Sequence, residues 1–91
     1  RRRELVERIA REIMENLIVN GTENPVVGEI LDRLEAETGW PVLLEYPLDG
    51  GDLRVLRQAE EGPEELDAGQ RAALMQRLWE ITLQRVDETM L

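Results

Sequence analysis

Glu12-x-x-Glu15 and, thirteen residues further on, Glu29-x-x-Asp32 are the positions whose types and spacing come closest to chemistry. Helical side chains three apart share a face, so each pair would set two carboxylates side by side. Clustered carboxylate oxygens are the donors that hard divalent cations prefer. Other reactive groups are few, because the chain contains no Cys, Ser, His or Lys. Thr22, Thr38, Thr82, Thr89, Tyr46 and the carboxylates remain, and none is a general base of neutral pKa. No catalytic residue is assigned on this basis, and no cofactor is expected.

The two acidic pairs resemble part of the motif of the MazG-type all-α nucleotide pyrophosphatases. Over these twenty-one residues the resemblance implies Mg²⁺ held against a triphosphate, with Glu12, Glu15, Glu29 and Asp32 as its ligands. The position before the first pair, usually Glu in that family, is Arg11 here. Helical spacing also turns Glu12 and Glu15 away from the face formed by Leu5, Ile9, Ile13 and Leu17. The leading expectation for the set is therefore a solvated helix surface paired with Arg8, Arg11 and Arg33, with no metal site.

Composition narrows the function classes. Eleven basic residues, all Arg, stand against twenty acidic ones, for a net charge of −9. Phosphate neutralisation supplies most nucleic-acid affinity, so a generic nucleic-acid binder is disfavoured. Docking on an anionic membrane is disfavoured for the same reason, and no run of eighteen apolar residues exists to span a bilayer. Ninety-one residues with 42% hydrophobic content make one domain with a modest core. That core is aliphatic, since Trp40, Tyr46 and Trp79 are the only aromatics. A chain without Cys tolerates a reducing compartment, and a cytoplasmic location is expected. The chain opens on Arg1 rather than Met, which leads to the expectation of a longer parent protein.

The elements that must position these side chains can be read in order. Leu5, Ile9, Ile13 and Leu17 predict a helix over 2–19, with Glu4–Arg8, Glu7–Arg11 and Arg11–Glu15 pairs on its outer side and Asn20-Gly21 as its stop. That stop also accounts for the sequon formed with Thr22. Asn24-Pro25 starts a second helix over 25–38, closed by Gly39, with Trp40 folding back toward Leu34. With a short link, the two helices are expected to pair antiparallel. The period then changes to two, and Asp49-Gly50-Gly51-Asp52 interrupts it, so 42–58 reads as a hairpin. An acidic loop follows over 59–66, without the alternating ligand spacing of a calcium loop. Asp67 and Gln70 form a capping box that opens a long helix over 68–90. The fold class is α+β in ααββα order, two antiparallel helices and a β-hairpin packed on a long C-terminal helix.

A hairpin after a helix pair resembles the winged-helix DNA binders, which would make Arg54, Arg57 and Arg1 to Arg3 the basic contact set. The second helix, however, carries Glu29, Asp32, Glu35 and Glu37 against Arg33. The stronger signal is the last helix, where Leu74, Met75, Leu78, Trp79, Thr82, Val86 and Met90 recur at helical spacing. Ile81 and Leu83 fall outside that stripe. Ile81, Leu83, Met90 and Leu91 are therefore expected to form a second apolar strip for a partner, by default a homodimer. The expected function is a non-enzymatic protein–protein interaction or regulatory domain.

Overall fold

The computed structural model describes residues 1–19, 22–45 and 53–90. Its elements are α1 (Arg2–Glu15), β1 (Ile18–Val19), β2 (Thr22–Glu23), α2 (Val27–Thr38), β3 (Val42–Glu45), β4 (Arg54–Ala59), β5 (Gly62–Glu65) and α3 (Ala68–Thr89). The class is α+β, as the change of period implies. Tyr46, Pro47, Leu48 and the Asp49 to Asp52 turn lie outside the described residues, as do Asn20-Gly21 and Leu91.

α1 ends earlier than its apolar spacing predicts. Asn16 folds back on the last turn, its side-chain amide donating to the Glu12 carbonyl at 2.8 Å. Such local side-chain bonds compete with helix continuation, and the β-branched Ile18 and Val19 that follow favour extended backbone. Ile18 pairs with Glu23 and Val19 with Thr22 in a small antiparallel ladder. Asn-Gly between β-branched residues is a hairpin signal as well as a helix stop. Leu17 still reaches the core at 2% exposure, from extended rather than helical backbone.

α2 begins two residues later than the Asn-Pro signal suggests, with Val26 rather than Asn24 at the N-cap, and Asn24 instead closes the turn that leads into the helix. Its Oδ1 accepts from the Val26 N–H at 3.0 Å, and its carbonyl accepts from Val27. Gly39 closes the helix at φ +76°, a left-handed position that suits a residue without Cβ. Chain reversal then delivers Trp40 to the rim of a groove shared with Leu34, Thr38 and Leu74.

The acidic segment after β4 is a strand, not a loop. β4 pairs with both neighbours, giving an antiparallel sheet of order β3-β4-β5. Gly-Pro-Glu-Glu has poor strand propensity. Tight connection and charge hold it in place: Ala59 pairs with Gly62, while Arg57 and Arg54 bind the Glu64 and Glu65 carboxylates across the strands. Alternation puts Val42, Leu44, Val55 and Leu66 on the face that meets the helices, and all four join the main core.

α3 is the spine. Asp67 Oδ1 accepts from the Gln70 N–H at 2.8 Å while the Gln70 side chain accepts from the Asp67 N–H at 3.2 Å, completing the predicted capping box. Its 22 residues make a rod of about 33 Å. Both α1 and α2 pack on it, as principal helix contacts of the fold. On one flank Leu74, Leu78 and Ile81 meet Val27, Ile30, Leu34 and the sheet. On another, Val86 meets Val6 and Ala10 of α1. Thr82 lies between the clusters, wholly buried, with its hydroxyl donating to the Leu78 carbonyl at 2.7 Å.

Leu78→Ala is expected to lower stability by ~2–5 kcal/mol, the range for a buried leucine whose site cannot collapse. Trp79 is only half-buried, so Trp79→Ala should cost less than the ~3–5 kcal/mol of a fully buried tryptophan. Urea midpoints of the two variants, compared with wild type, check the order.

Candidate interaction surface

Where α1 crosses α3, the apolar surface is incompletely covered. Val6, Ala10 and Val86 are buried, while Ile9, Trp79, Leu83 and Met90 pack around them half-buried, with Ile13 shared between this cluster and the main core. At the end of this seam lies an open depression of ≈ 460 Å³, lined by Arg2, Arg3, Val6, Glu7, Leu83, Gln84 and Asp87. Its rim carries both signs of charge. Arg2 donates through Nε to Asp87 Oδ1 and through Nη2 to the Asp87 carbonyl, both at 3.0 Å. A guanidinium at the C-terminal end of α3 meets the negative end of that helix dipole. Arg3 pairs with Glu7 one turn on, at 3.2 Å. Among the described residues these pairs replace the Glu4–Arg8, Glu7–Arg11 and Arg11–Glu15 set that spacing suggested.

The strip predicted on α3 is thus partly relocated. Ile81 is 1% exposed and belongs to the main core, so it has no outward surface. It follows Leu74 and Leu78 at helical spacing, and α2 with the sheet covers that flank. Leu83 and Met90 remain half-buried on the α1 side, whereas Leu91 lies outside the described residues. Ile9, Ile13 and Trp79, read from periodicity as interior residues, prove to be part of the same seam. The signal was present in the width of the apolar face of α1, which exceeds what one contact with α3 can hide.

The opposite flank of α3 is stapled to α2 by charge. Arg85 binds Glu29, Arg33 binds Glu88 at 2.8 Å, and Arg77 reaches Glu37 and Glu80, the latter at 2.9 Å. Hydrogen bonds from these guanidinium groups hold the Glu29, Glu37, Glu80 and Glu88 carboxyls below their ordinary range. Glu29 is thereby engaged in a structural ion pair, and Glu12, Glu15 and Asp32 are exposed on their helices. No three acidic side chains gather as a metal centre among the described residues. The Glu12, Glu15, Glu29 and Asp32 set is not assembled, because the apolar stripe of α1 turns its carboxylates outward. The three-stranded sheet also departs from the all-α architecture that the resemblance implied.

The strand arginines are likewise occupied. Arg54 binds Glu45 at 2.9 Å and Glu65, while Arg57 binds Glu64 and lies 4.8 Å above the Trp40 ring in a cation–π contact. Carboxylates from both neighbouring strands thus neutralise the patch that phosphate contacts would need. No helix among the described residues is long and apolar enough to cross a membrane. No protein-family model, curated protein or solved structure matches this chain.

Two outcomes follow from this electrostatic arrangement. The four depressed carboxyls favour the folded state at any pH above their unfolded value of about 4.5, and that contribution disappears as pH falls through their lower folded values. The melting temperature is expected to hold near neutrality and to drop below about pH 4.5, with a shallower drop in Glu29→Gln. Millimolar Mg²⁺ or Mn²⁺ should leave the melting temperature of wild type unchanged if the Glu12, Glu15, Glu29 and Asp32 carboxylates, which do not gather in the fold, offer no selective site.

Proposed function

We propose that this chain is a non-enzymatic protein–protein interaction or regulatory domain, acting in the cytoplasm, that self-associates through the outward side of α3. The half-buried cluster of Ile9, Ile13, Trp79, Leu83 and Met90 carries the reading. Exposed contiguous apolar surface rimmed by polar groups marks interaction sites on proteins of this size. Trp and Met are enriched in interface cores, and Trp79 provides a large anchor of the kind that dominates binding energy. Both signs of charge on the Arg2, Arg3, Glu7 and Asp87 rim suit a two-fold contact, in which the same patch meets itself. A residue inventory without Cys, Ser, His or Lys supports the non-enzymatic part of the proposal.

Light scattering of the intact chain over a concentration series tests it. Leu83→Glu is expected to weaken self-association at least about tenfold, the equivalent of ~1.4 kcal/mol. Its melting temperature should stay within a few degrees of wild type, because Leu83 is only half-buried. A mass unchanged by the substitution at every concentration overturns the reading.

A further inference from the structure

The two edges of the main sheet are protected very differently. The Gln58 N–H donates to the Pro41 carbonyl at 2.9 Å, which makes this a hydrogen-bonded pair. Antiparallel ladders alternate bonded and non-bonded pairs, so with the observed register Leu43–Leu56 and Glu45–Arg54 are the next bonded pairs. Val42 and Leu44 therefore aim their N–H and C=O groups at the outer edge of β3. Among the described residues no backbone or side-chain group bonds to them there.

On β5 the same alternation gives the opposite result. With Arg57–Glu64 and Ala59–Gly62 as bonded pairs, Pro63 and Glu65 occupy the outward positions. Pro63 has no N–H to offer, and Glu64 and Glu65 add negative charge along that strand. Proline and charge are the usual means of blunting an edge. β3 has neither at its outward positions: Val42 and Leu44 are apolar, as is Leu43 between them, and Glu45 is drawn toward Arg54 on β4.

We propose that β3 is a docking edge for a second copy of this chain, paired antiparallel about a two-fold axis at Leu43. In that register Val42 of each copy exchanges both backbone bonds with Leu44 of the other. Leu43 then faces Leu43 of the second copy as a non-bonded pair, the closer of the two side-chain approaches. On the outer sheet face Leu43 already adjoins Leu56. Pairing creates one apolar row, Leu56–Leu43–Leu43–Leu56, across both copies. The charges also fit. Glu45 comes opposite Pro41 of the second copy rather than another carboxylate, so a chain of net charge −9 meets itself where no like charges oppose. The result is a continuous six-stranded sheet whose two ends are the blunted β5 edges. This interface is separate from the α1–α3 seam, and the two together would build an assembly larger than a dimer.

Leu43→Lys tests the edge without touching the ladder, because it puts like charges face to face at the axis. Val42→Pro is a second variant, removing an outward N–H that β4 does not use. Both are read by light scattering in wild type and in the Leu83→Glu background, with circular dichroism confirming the fold. Leu83→Glu alone should remain dimeric, and adding either β3 substitution should halve its mass. In wild type, the Val42 and Leu44 amides should exchange at least about tenfold more slowly at high protein concentration than on dilution, while the Leu43 amide stays protected throughout. A monomeric Leu83→Glu overturns the β3 interface and leaves the seam standing. A mass sensitive to Leu43→Lys but not to Leu83→Glu upholds the β3 interface and removes the seam. Val42 and Leu44 amides that exchange freely at every concentration overturn the proposal outright.

Discussion

Leu74, Leu78 and Ile81 face one flank of α3 and Val86 another, so a single helix presents two apolar flanks that no single neighbour can cover. Everything else in the fold answers that requirement. α2 and the inner face of the sheet close over the first flank, and α1 closes over the second. A chain of this length cannot spare enough apolar area for two complete cores. The α2 side is finished, with Ile30, Leu34, Leu78 and Ile81 nearly inaccessible to water. The α1 side holds fewer buried side chains, Val6, Ala10 and Val86, with Ile9, Trp79, Leu83 and Met90 half-buried around them.

Charge adds to the registration that aliphatic packing sets. Aliphatic packing rewards a close fit between α2 and α3 but is non-directional, and charge pairs add a directional preference for one placement. The Glu29–Arg85, Arg33–Glu88 and Glu37–Arg77 pairs tie the two helices at both ends of their contact. Each is exposed, and such pairs singly contribute little to stability. Their value lies in being several and spread along one interface. Arginine suits this role because its planar fork engages a carboxylate through two nitrogens, as Arg33 does with Glu88 at 2.8 and 3.2 Å. The strong negative balance of the chain thus coexists with arginines of which Arg2, Arg33, Arg54, Arg57, Arg77 and Arg85 are committed to carboxylates on α2, α3 and the sheet.

Local rules in the sequence were sufficient where a few adjacent residues decide the outcome. The Asp67–Gln70 box, the left-handed Gly39 and the antiparallel pairing of Val42 to Glu45 with Arg54 to Arg57 all rest on neighbours or on period alone. Composition alone determined that the core is aliphatic and that nucleophiles other than hydroxyls and carboxylates are missing. Tertiary structure decided the rest, because burial depends on what covers a face and not on which face is apolar. Ile81 and Leu83 look equivalent in the sequence, yet α2 and the sheet bury one while the α1 crossing leaves the other half-buried. Gly62 to Glu65 reads as loop by propensity and becomes strand by pairing along β4, whose Arg54 and Arg57 also bind its carboxylates. Helical spacing brings Glu12 near Glu15 and Glu29 near Asp32, but only the packing of the helices could gather the four, and it commits Glu29 to Arg85 instead. Capping and turn chemistry act over a few residues and are legible in one dimension; competition for contacts is settled only when the whole chain is in place.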